Sequence, residues 1–459
     1  MSAVEAVEMS GKSLEGLHGT VAVPPESAGF WRQYRAFVGP AFLVSVGYMD
    51  PGNWATDLQA GAEHKYALLW VVALSSFMAV IMQVLSARLG IVTGKDLAQA
   101  CRDFYPSWTR FPLWILCEIA IVACDLAEIL GSAIAIHMLF GIPLFWAVLI
   151  TAFDVLFLLA LQGMGMRFLE ALILVLVMTI GGCYFVEIFV LPATQPSFLE
   201  MGHALATPGF PDKGAVLLAI GIVGATVMPH NLYLHSALVN SRAAPTDGLS
   251  KRRSIRFNTI DTVVALSIAF LVNAGIMVLA AIVFHGKESA ELANGVVVAF
   301  NDKTDWIQDA YLTLAPLLGT ALASTLFAVA LLASGQSSTV TGTLAGQVVM
   351  EGFMRWRMEP WLRRLMTRLI AIIPAIVIVG MWPDLKVNDL IVRSQQVLAV
   401  QLPFAMFPLL HFTGSRKRMG EFANGWFLAG LGWLSFVLIT ALAICSLWFQ
   451  FFGEAVVPS

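Results

Sequence analysis

The chain has 459 residues, of which 58% are hydrophobic and only 12% are charged, and its net charge is -3. About a quarter of the residues of a soluble domain are charged, so this composition excludes an ordinary soluble domain, and the negative charge argues against nucleic acid as a partner. Apolar runs of about 20 residues recur along the chain, and a helix of that length crosses a bilayer. We therefore predict an all-α polytopic membrane protein.

The N-terminal stretch and the cysteines exclude some alternatives. The first 30 residues are polar and mixed, without a basic-then-apolar leader, so we expect no cleaved signal peptide and a disordered segment. The cysteines form no CxxC pattern, and all except Cys101 lie in predicted spans, so neither a disulfide framework nor a zinc site is expected. They are Cys101, Cys117, Cys124, Cys183 and Cys445.

Eleven apolar runs are predicted to cross the membrane, and we number them spans 1 to 11 from the N-terminus. They cover residues 36–63, 66–93, 111–139, 142–161, 167–192, 214–240, 259–284, 311–353, 364–381, 389–412 and 424–452. Spans 1 and 6 are interrupted by polar residues and a proline, and span 8 is the longest.

The basic residues are divided unequally between the two sides of these spans. With the N-terminus in the cytoplasm, all but six of the 27 Lys and Arg residues lie on the cytoplasmic side, and cytoplasmic loops carry such an excess. The six exceptions are Lys65, Lys213, Lys287, Lys303, Lys386 and Arg393. We predict a cytoplasmic N-terminus and, since the number of spans is odd, an extracytoplasmic C-terminus.

Each half of the chain begins with a broken span. Spans 1–5 form one set, and spans 6–10 form a second set that enters from the opposite side because span 5 is odd-numbered. Such an inverted repeat is the architecture of many secondary transporters, which bind substrate between the broken first helices. We divide the chain into a cytoplasmic tail, a first repeat, a second repeat and span 11 with the C-terminus, covering residues 1–35, 36–200, 201–415 and 416–459.

The two breaks have the sequences GYMDPGN, starting at Gly47, and GATVMPHN, starting at Gly224. Proline removes a backbone donor and clashes with the carbonyl group one turn earlier, and glycine adds freedom to unwind. The freed backbone groups need partners in hydrocarbon, so such breaks persist where they line a cavity or a bound ion. We interpret the two breaks as the walls of one cation site.

The breaks offer several oxygen ligands and one sulfur ligand. Asp50 supplies a carboxylate, Asn53 an amide oxygen, and the unwound backbone near Gly47 and Ala225 supplies carbonyl groups. The thioether of Met228 is a soft ligand, which suits manganese, iron, cobalt or cadmium but not magnesium or calcium. A lone methionine is more often core packing. A lone aspartate inside the membrane indicates function, and its occurrence opposite Met228 in a second repeat favours a metal site.

Polar residues near the second break and in later spans are further candidates. His230 can ligate metal, relay protons or bond a carbonyl group, and we favour proton relay because imidazole titrates near physiological pH. For His235, a structural role is as compatible with the sequence as a role in metal binding or proton transfer. Gln336 in span 8 and Gln395 in span 10 can each complete a metal shell, although interhelical hydrogen bonding is the safer interpretation of Gln336.

Span 3 carries three acids, Glu118, Asp125 and Glu128. Asp125 and Glu128 share one helical face. Acids inside a membrane need partners, and the available arginines are Arg242, Arg363 and Arg364. Acids and arginines along one path indicate a proton route from the site to the cytoplasm; the alternative is a purely structural salt-bridge network. The sequence assigns no role to Asp154 in span 4.

These motifs resemble those of the Nramp divalent-metal transporters, in particular the bacterial proton-coupled manganese type. The resemblance is carried by DPGN, starting at Asp50, and by MPHNLYLHS, starting at Met228. Supporting stretches are DLAE from Asp125, LLASGQ from Leu331 and QLPF from Gln401. The resemblance extends over almost the whole chain beyond the first 35 residues.

The resemblance implies a LeuT-type fold, a 5+5 inverted repeat plus an eleventh transmembrane helix, in which spans 1, 2, 6 and 7 form a moving bundle. It implies metal binding by Asp50, Asn53 and Met228 with the carbonyl of Ala225 and, in some states, that of Gly47, where the family has alanine. Gln395 matches a glutamine that approaches the metal in the closed state. The family's proton route matches Asp50, His230, Glu118, Asp125, Glu128, Arg363, Arg364 and Arg242.

The expected function is import of divalent transition metal ions, manganese and also iron, cobalt and cadmium, by alternating access with proton transport. The metal is then the substrate and no cofactor is expected. The expected partners are the metal ions, protons and the lipid bilayer, and we expect a monomer in the inner membrane. A magnesium or general divalent carrier and a channel are alternatives. An intramembrane enzyme is a further one, although no HExxH motif or paired catalytic arrangement occurs.

Overall fold

The computed structural model describes residues 13–25, 27–153, 164–190, 195–244, 247–292, 296–301, 304–381 and 386–452. These residues are mostly helical. The strands among them form two short pairs, Val21–Ala22 with Arg242–Ala243 and Ser289–Glu291 with Val297–Ala299. The prediction of an all-α protein is confirmed.

The helices follow the predicted order of spans. Spans 1 to 5 contain Pro40–Ser45 with Pro51–His64, Leu69–Thr93, Ser107–Phe140, Leu144–Ile150 and Met166–Phe185. Spans 6 to 11 contain Lys213–Val227 with Pro229–Leu238, Gly248–Val283, Trp306–Leu318 with Ala321–Met354, Pro360–Met381, Val387–Gly414 and Trp426–Phe452. In the described part of the chain, eight helical segments are long and apolar enough to cross a membrane. Span 4 continues through the 3-10 turn Thr151–Phe153, and its residues 154–161, with Asp154, lie outside the described residues.

Span 8 differs from the prediction of one long helix. Its first helix ends at Gly319, which has φ +71°, and Thr320 caps the second helix by accepting a hydrogen bond from the Leu322 amide at 3.2 Å. A left-handed glycine terminates a helix and a threonine N-cap begins one, so the Gly-Thr pair divides an apolar run that is continuous in hydropathy. The short helices Leu97–Phe104 and Phe198–Ala206 were also not predicted.

The expectation of a disordered N-terminal stretch is wrong for residues 13–25. Leu14 and Val21 are buried, and the Leu14 amide donates to the Glu351 carboxylate at 2.8 Å. Strand Val21–Ala22 pairs with Arg242–Ala243 at the end of span 6. These partners are more than 200 residues away in the chain, so local composition does not reveal them.

Neighbouring spans satisfy the backbone groups that the break in span 1 releases. Ser334 of span 8 donates through Oγ to the Met49 carbonyl at 2.5 Å, and Asn273 of span 7 donates to the Tyr48 carbonyl at 2.8 Å. A Cβ at Gly224 would collide with the Gln395 carbonyl oxygen, so glycine allows span 6 to pack directly on span 10. Polar contacts from spans 7 and 8 therefore hold the break in span 1, as an unwound segment in hydrocarbon requires.

Candidate metal site

The break in span 1 places a helix start in the middle of the bundle. The chain runs from a 3-10 turn, Val46–Met49, into an extended Asp50, and the outer helix begins at Pro51. Asp50 is the N-cap of that helix, and its Oδ1 accepts from the Asn53 amide at 2.9 Å. Asp50 is a favoured N-cap residue and Pro51 a favoured first helical residue. The helix N-terminus thereby stabilises a carboxylate buried in the membrane.

The break in span 6 depends on a strained methionine. Met228 links helices Lys213–Val227 and Pro229–Leu238 with φ +28° and ψ 107°, in the region that favours glycine. Such a conformation costs about 1–3 kcal/mol for a residue with a side chain, and strain of this kind concentrates at functional sites. A methionine at a position suited to glycine indicates that its side chain has a function.

Oxygen atoms from both breaks converge on one point. The Asn53 side-chain nitrogen lies 2.9 Å from Asp50 Oδ1, 3.2 Å from the Ala225 carbonyl oxygen and 3.5 Å from the Gly47 carbonyl oxygen. The same cluster of acceptors that attracts an N–H donor attracts a metal cation. Rotation of the Asn53 amide by a half-turn would present its oxygen at this point, so Asn53 can be a ligand there.

The Met228 sulfur and the Gln395 amide lie at the edges of this cluster. A Cβ at Gly47 would lie 3.3 Å from Met228 Sδ, so the sulfur is next to the Gly47 backbone. The Gln395 amide lies against Gly52, and its oxygen has no hydrogen-bond partner among the described residues. The structure therefore brings together the six predicted metal-binding residues, all of them buried: Gly47, Asp50, Asn53, Ala225, Met228 and Gln395.

The donor set differs from that of a zinc or iron centre. No group of three or more His, Cys, Asp and Glu side chains that could hold a metal occurs in the part of the chain that the structure describes. One carboxylate, an amide, carbonyl groups and a thioether form a weaker shell with mixed hard and soft donors. Such a shell suits an ion that must bind and then leave.

The predicted pairing of the span 3 acids with the span 9 arginines is confirmed. Arg363 bonds both oxygens of Glu118 at 2.7 and 2.9 Å. Arg364 pairs with Asp125, and with Glu128 Oε2 at 3.1 Å. The side chains of Arg364, Asp125 and Glu128 are each 1% exposed. Arg368, also 1% exposed, lies 3.9 Å from Glu128 Oε2, so two cations balance the two carboxylates inside the protein.

A cysteine connects this network to the metal site. Cys124 Sγ lies 3.8 Å from Asp50 Oδ2 and 3.9 Å from Glu128 Oε1. Cys124 also packs in a small buried cluster with Met228. Cys124 had no predicted role, although its place one turn before Glu128 on the same helical face indicates a position near the acids.

The predicted pairing of Arg242 with the span 3 acids is wrong. Arg242 Nη1 instead bonds Glu170 of span 5 at 2.7 Å, and its Nη2 donates to the Val38 carbonyl at 2.7 Å. Asp261 of span 7 caps the same region by accepting from the Gly39 and Ala41 amides. Arg242 thus joins the start of span 1 to spans 5 and 6, and its assignment to a proton route stays a prediction.

The two histidines of span 6 have different surroundings. His230 is 2% exposed, and its Nδ1 has no hydrogen-bond partner among the described residues. His235 Nδ1 lies 2.9 Å from Gln83 Oε1, and Gln83 donates to the Tyr48 hydroxyl at 2.7 Å. This chain of hydrogen bonds supports the structural interpretation of His235, whereas the proton relay through His230 stays a prediction.

Three polar side chains at the site were missed in the sequence. Thr226 Oγ1 and Asn273 Nδ2 donate to Asn53 Oδ1 at 3.4 and 3.2 Å, and Asn231 Nδ2 lies 3.4 Å from Met228 Sδ. These contacts orient the side chains of Asn53 and Met228. An amide inside an apolar run, such as Asn273 in span 7, is a signal that could have identified it.

The model of the Nramp family, described as natural resistance-associated macrophage protein-like, matches residues 41–449. The chain belongs to the Nramp family. A divalent metal cation transporter MntH from Nostoc sp. is 49% identical over 437 residues, which are 94% of both chains. The MntH of Listeria monocytogenes is 44% identical over 441 residues, 95% of this chain and 94% of that one.

Solved structures of other transporters share the fold of this chain. A mutant manganese transporter from Eremococcus coleocola is 39% identical, with a TM-score of 0.86, over 98% of this chain and 93% of that chain. Mhp1, a nucleobase-cation-symport-1 family transporter in a closed conformation, is 12% identical with a TM-score of 0.56, over 90% of this chain and 92% of that chain. At 12% identity, the similarity to Mhp1 concerns the fold alone. The prediction of a LeuT-type fold is confirmed.

Proposed function

We propose that this Nramp protein is a secondary transporter that imports divalent transition metal ions, including manganese, by alternating access. The observation that carries the proposal is the convergence of Asp50, Asn53, the Ala225 carbonyl and the Met228 thioether where two spans are broken. Relatives named divalent metal cation transporters, and solved structures named manganese transporters, support it.

The donor types favour transition metals over magnesium and calcium. A thioether contributes little to the binding of a hard ion, which keeps oxygen ligands and dehydrates reluctantly. A sulfur beside Gly47 therefore lowers the relative affinity for hard ions while leaving manganese, iron, cobalt and cadmium as substrates.

Closure at both ends of the site supports alternating access rather than a continuous pore. On the predicted outer side, Asn388 of span 10 donates to Gln59 of the outer half of span 1 at 2.9 Å. On the predicted inner side, Arg242 and Glu170 join spans 1, 5 and 6. Movement of one half-span at a time would open one side while the other stays closed.

Proton transport is proposed to accompany the metal. Asp50 loses its proton when metal binds, because a carboxylate must be ionised to be a ligand. The nearest acid beyond Cys124 is Glu128, which belongs to the network of span 3 acids and span 9 arginines. We assign the route to Asp50, His230, Glu118, Asp125, Glu128, Arg363 and Arg364, with Arg242 at its inner end.

The proposed setting is the bacterial inner membrane, with a cytoplasmic N-terminus, an extracytoplasmic C-terminus and a monomeric transporter. The excess of Lys and Arg on one side supports this orientation. Residues 36–200 and 201–415 are proposed as the two inverted repeats.

Metal affinity is expected to rise with pH, because protons compete with metal for Asp50. Titration of the purified protein with Mn²⁺ by calorimetry, in buffers of different ionisation enthalpy, measures both the affinity and the protons released. The expected result is tighter binding at pH 7.5 than at pH 5.5, by about tenfold or more, with net proton release. A pH-independent affinity without proton release would contradict the proposed coupling.

Replacing Met228 by alanine tests the choice of metal. We expect Cd²⁺ uptake into proteoliposomes to fall by about tenfold or more in Met228→Ala, with Ca²⁺ and Mg²⁺ becoming better competitors for Mn²⁺ uptake. Met82→Ala is the matched control, because Met82 is a fully buried methionine in span 2 that lies outside the small cluster containing Met228. Unchanged discrimination in Met228→Ala would support a general divalent carrier instead.

A further inference from the structure

An apolar groove opens on the surface of the bundle between spans 3, 10 and 11. It has a volume of about 530 Å³. Its lining residues include Trp108, Leu116, Phe404, Phe407 and Phe436. It lies far along the chain from both breaks, at the start of span 3 and the last turns of span 10, and it is not part of the metal site.

Rigid short side chains keep the groove open. Pro112, Pro403 and Pro408 lie inside the helices of spans 3 and 10 and line it. A proline ring is compact and has few conformations, so it leaves space that a leucine or phenylalanine would fill. Trp108 and Phe407, at 74% and 47% exposure, project from its walls. In a membrane these surfaces face lipid chains.

A positively charged rim adjoins the groove at its Tyr105 end. The Tyr105 hydroxyl lies 2.9 Å from His411 Nδ1, and His411 Nε2 lies 3.5 Å from Arg418 Nη1. The Arg418 guanidinium lies 4.8 Å from the ring centres of both Phe104 and Phe412. Contact with two rings holds the guanidinium at the edge of the groove.

In the described part of the chain, the cations of this rim lack acidic partners. No carboxylate among the described residues forms an ion pair with Arg416, Lys417 or Arg418. Nearby cations do have such partners: Lys95 pairs with Asp103 at 2.7 Å and Arg252 with Glu421 at 2.6 Å. The rim therefore has an excess of positive charge beside an apolar groove, on the side that carries most of the basic residues of the chain.

We propose that the groove and its rim bind one anionic phospholipid. An acyl chain occupies the apolar groove, and the phosphate of the headgroup bonds Arg418, since a guanidinium matches phosphate geometry with two parallel hydrogen bonds. The neighbouring Arg416 and Lys417 favour a headgroup with net negative charge. The lipid stabilises the packing of span 10, which also carries Gln395, against spans 3 and 11.

Native mass spectrometry of the full-length protein tests this assignment, with dioleoyl phosphatidylglycerol and dioleoyl phosphatidylcholine as probes. The expected result is one saturable phosphatidylglycerol molecule, bound at least five-fold more tightly than phosphatidylcholine. Arg418→Gln should remove that preference. Arg256→Gln makes the same substitution on an exposed arginine of helix Gly248–Val283, outside the rim, and it should keep the preference.

The position of the acyl chain is tested separately. Leu116→Trp fills the groove and Phe404→Ser makes its exposed edge polar, and each should weaken binding of both lipids at least five-fold. Size-exclusion profiles identify variants that fold, and Phe404, which is 45% exposed, tolerates replacement better than an interior residue. Equal losses in Arg418→Gln and Arg256→Gln would overturn the site in favour of general attraction to a basic surface. Unchanged binding in both folded groove variants would also overturn it.

Discussion

Replacing Asp50 by asparagine is expected to abolish saturable Mn²⁺ uptake into proteoliposomes and to weaken Mn²⁺ binding by about a hundredfold or more, roughly 3 kcal/mol. Asparagine has nearly the same shape and is also a favoured N-cap residue, so the start of the outer half of span 1 is preserved. The substitution removes the one carboxylate among the six residues that converge at the breaks. Uptake of Mn²⁺ and calorimetric binding to the purified protein measure the two effects.

Asp57→Asn is a matched control for this experiment. Asp57 lies on the same helix as Asn53 and is 1% exposed. Neither of its oxygens has a hydrogen-bond partner among the described residues, and it has no predicted role in metal binding. We expect this variant to fold and transport. Saturable Mn²⁺ uptake retained by folded Asp50→Asn would exclude the proposed site.

Replacing Arg364 by glutamine is expected to destabilise the protein by about 3–5 kcal/mol, because it leaves Asp125 buried without its counter-charge and Glu128 with only the more distant Arg368, 3.9 Å away. Uptake should fall with the amount of folded protein. Arg363→Gln is the comparison: its partner Glu118 is 19% exposed, so water compensates for part of the loss. Thermal unfolding in detergent measures the stability of the two variants, and we expect Arg364→Gln to be less stable than Arg363→Gln.

A charge-neutral variant distinguishes the structural and proton-route roles of this network. Arg364→Gln combined with Asp125→Asn removes one buried charge of each sign and leaves Glu128 beside Arg368, whose Nη1 lies 3.9 Å from Glu128 Oε2. Replacing both partners of a buried ion pair is often tolerated. We expect this variant to recover stability and bind Mn²⁺, but to lose the proton influx that accompanies uptake, measured with a pH-sensitive dye inside the vesicles. Unchanged proton influx in the charge-neutral variant would assign the network a structural role alone.

Several contacts at the site required the tertiary structure. The sequence marked Arg242 as a cation near the end of span 6, but its partner Glu170 belongs to span 5, and nothing in the spacing distinguishes Glu170 from the acids of span 3. The N-terminal stretch behaves similarly, since Leu14 and Val21 are apolar residues in a polar segment whose partners lie in spans 6 and 8. Burial of such residues depends on surfaces that distant segments provide.

The sequence by itself determined the membrane class, the order of the spans, the two breaks and the six residues that we propose as the metal site. Hydropathy, proline and an intramembrane aspartate are local properties, and hydrocarbon leaves few ways to satisfy a broken helix. The tertiary structure alone decided which polar groups meet: the Asn53 amide with Ala225, Cys124 between Asp50 and Glu128, and Arg242 with Glu170. Those contacts depend on how each helix is rotated, and how deeply it is placed, relative to its neighbours. Packing between helices sets this arrangement, and the periodicity of residues along a single helix does not reveal it.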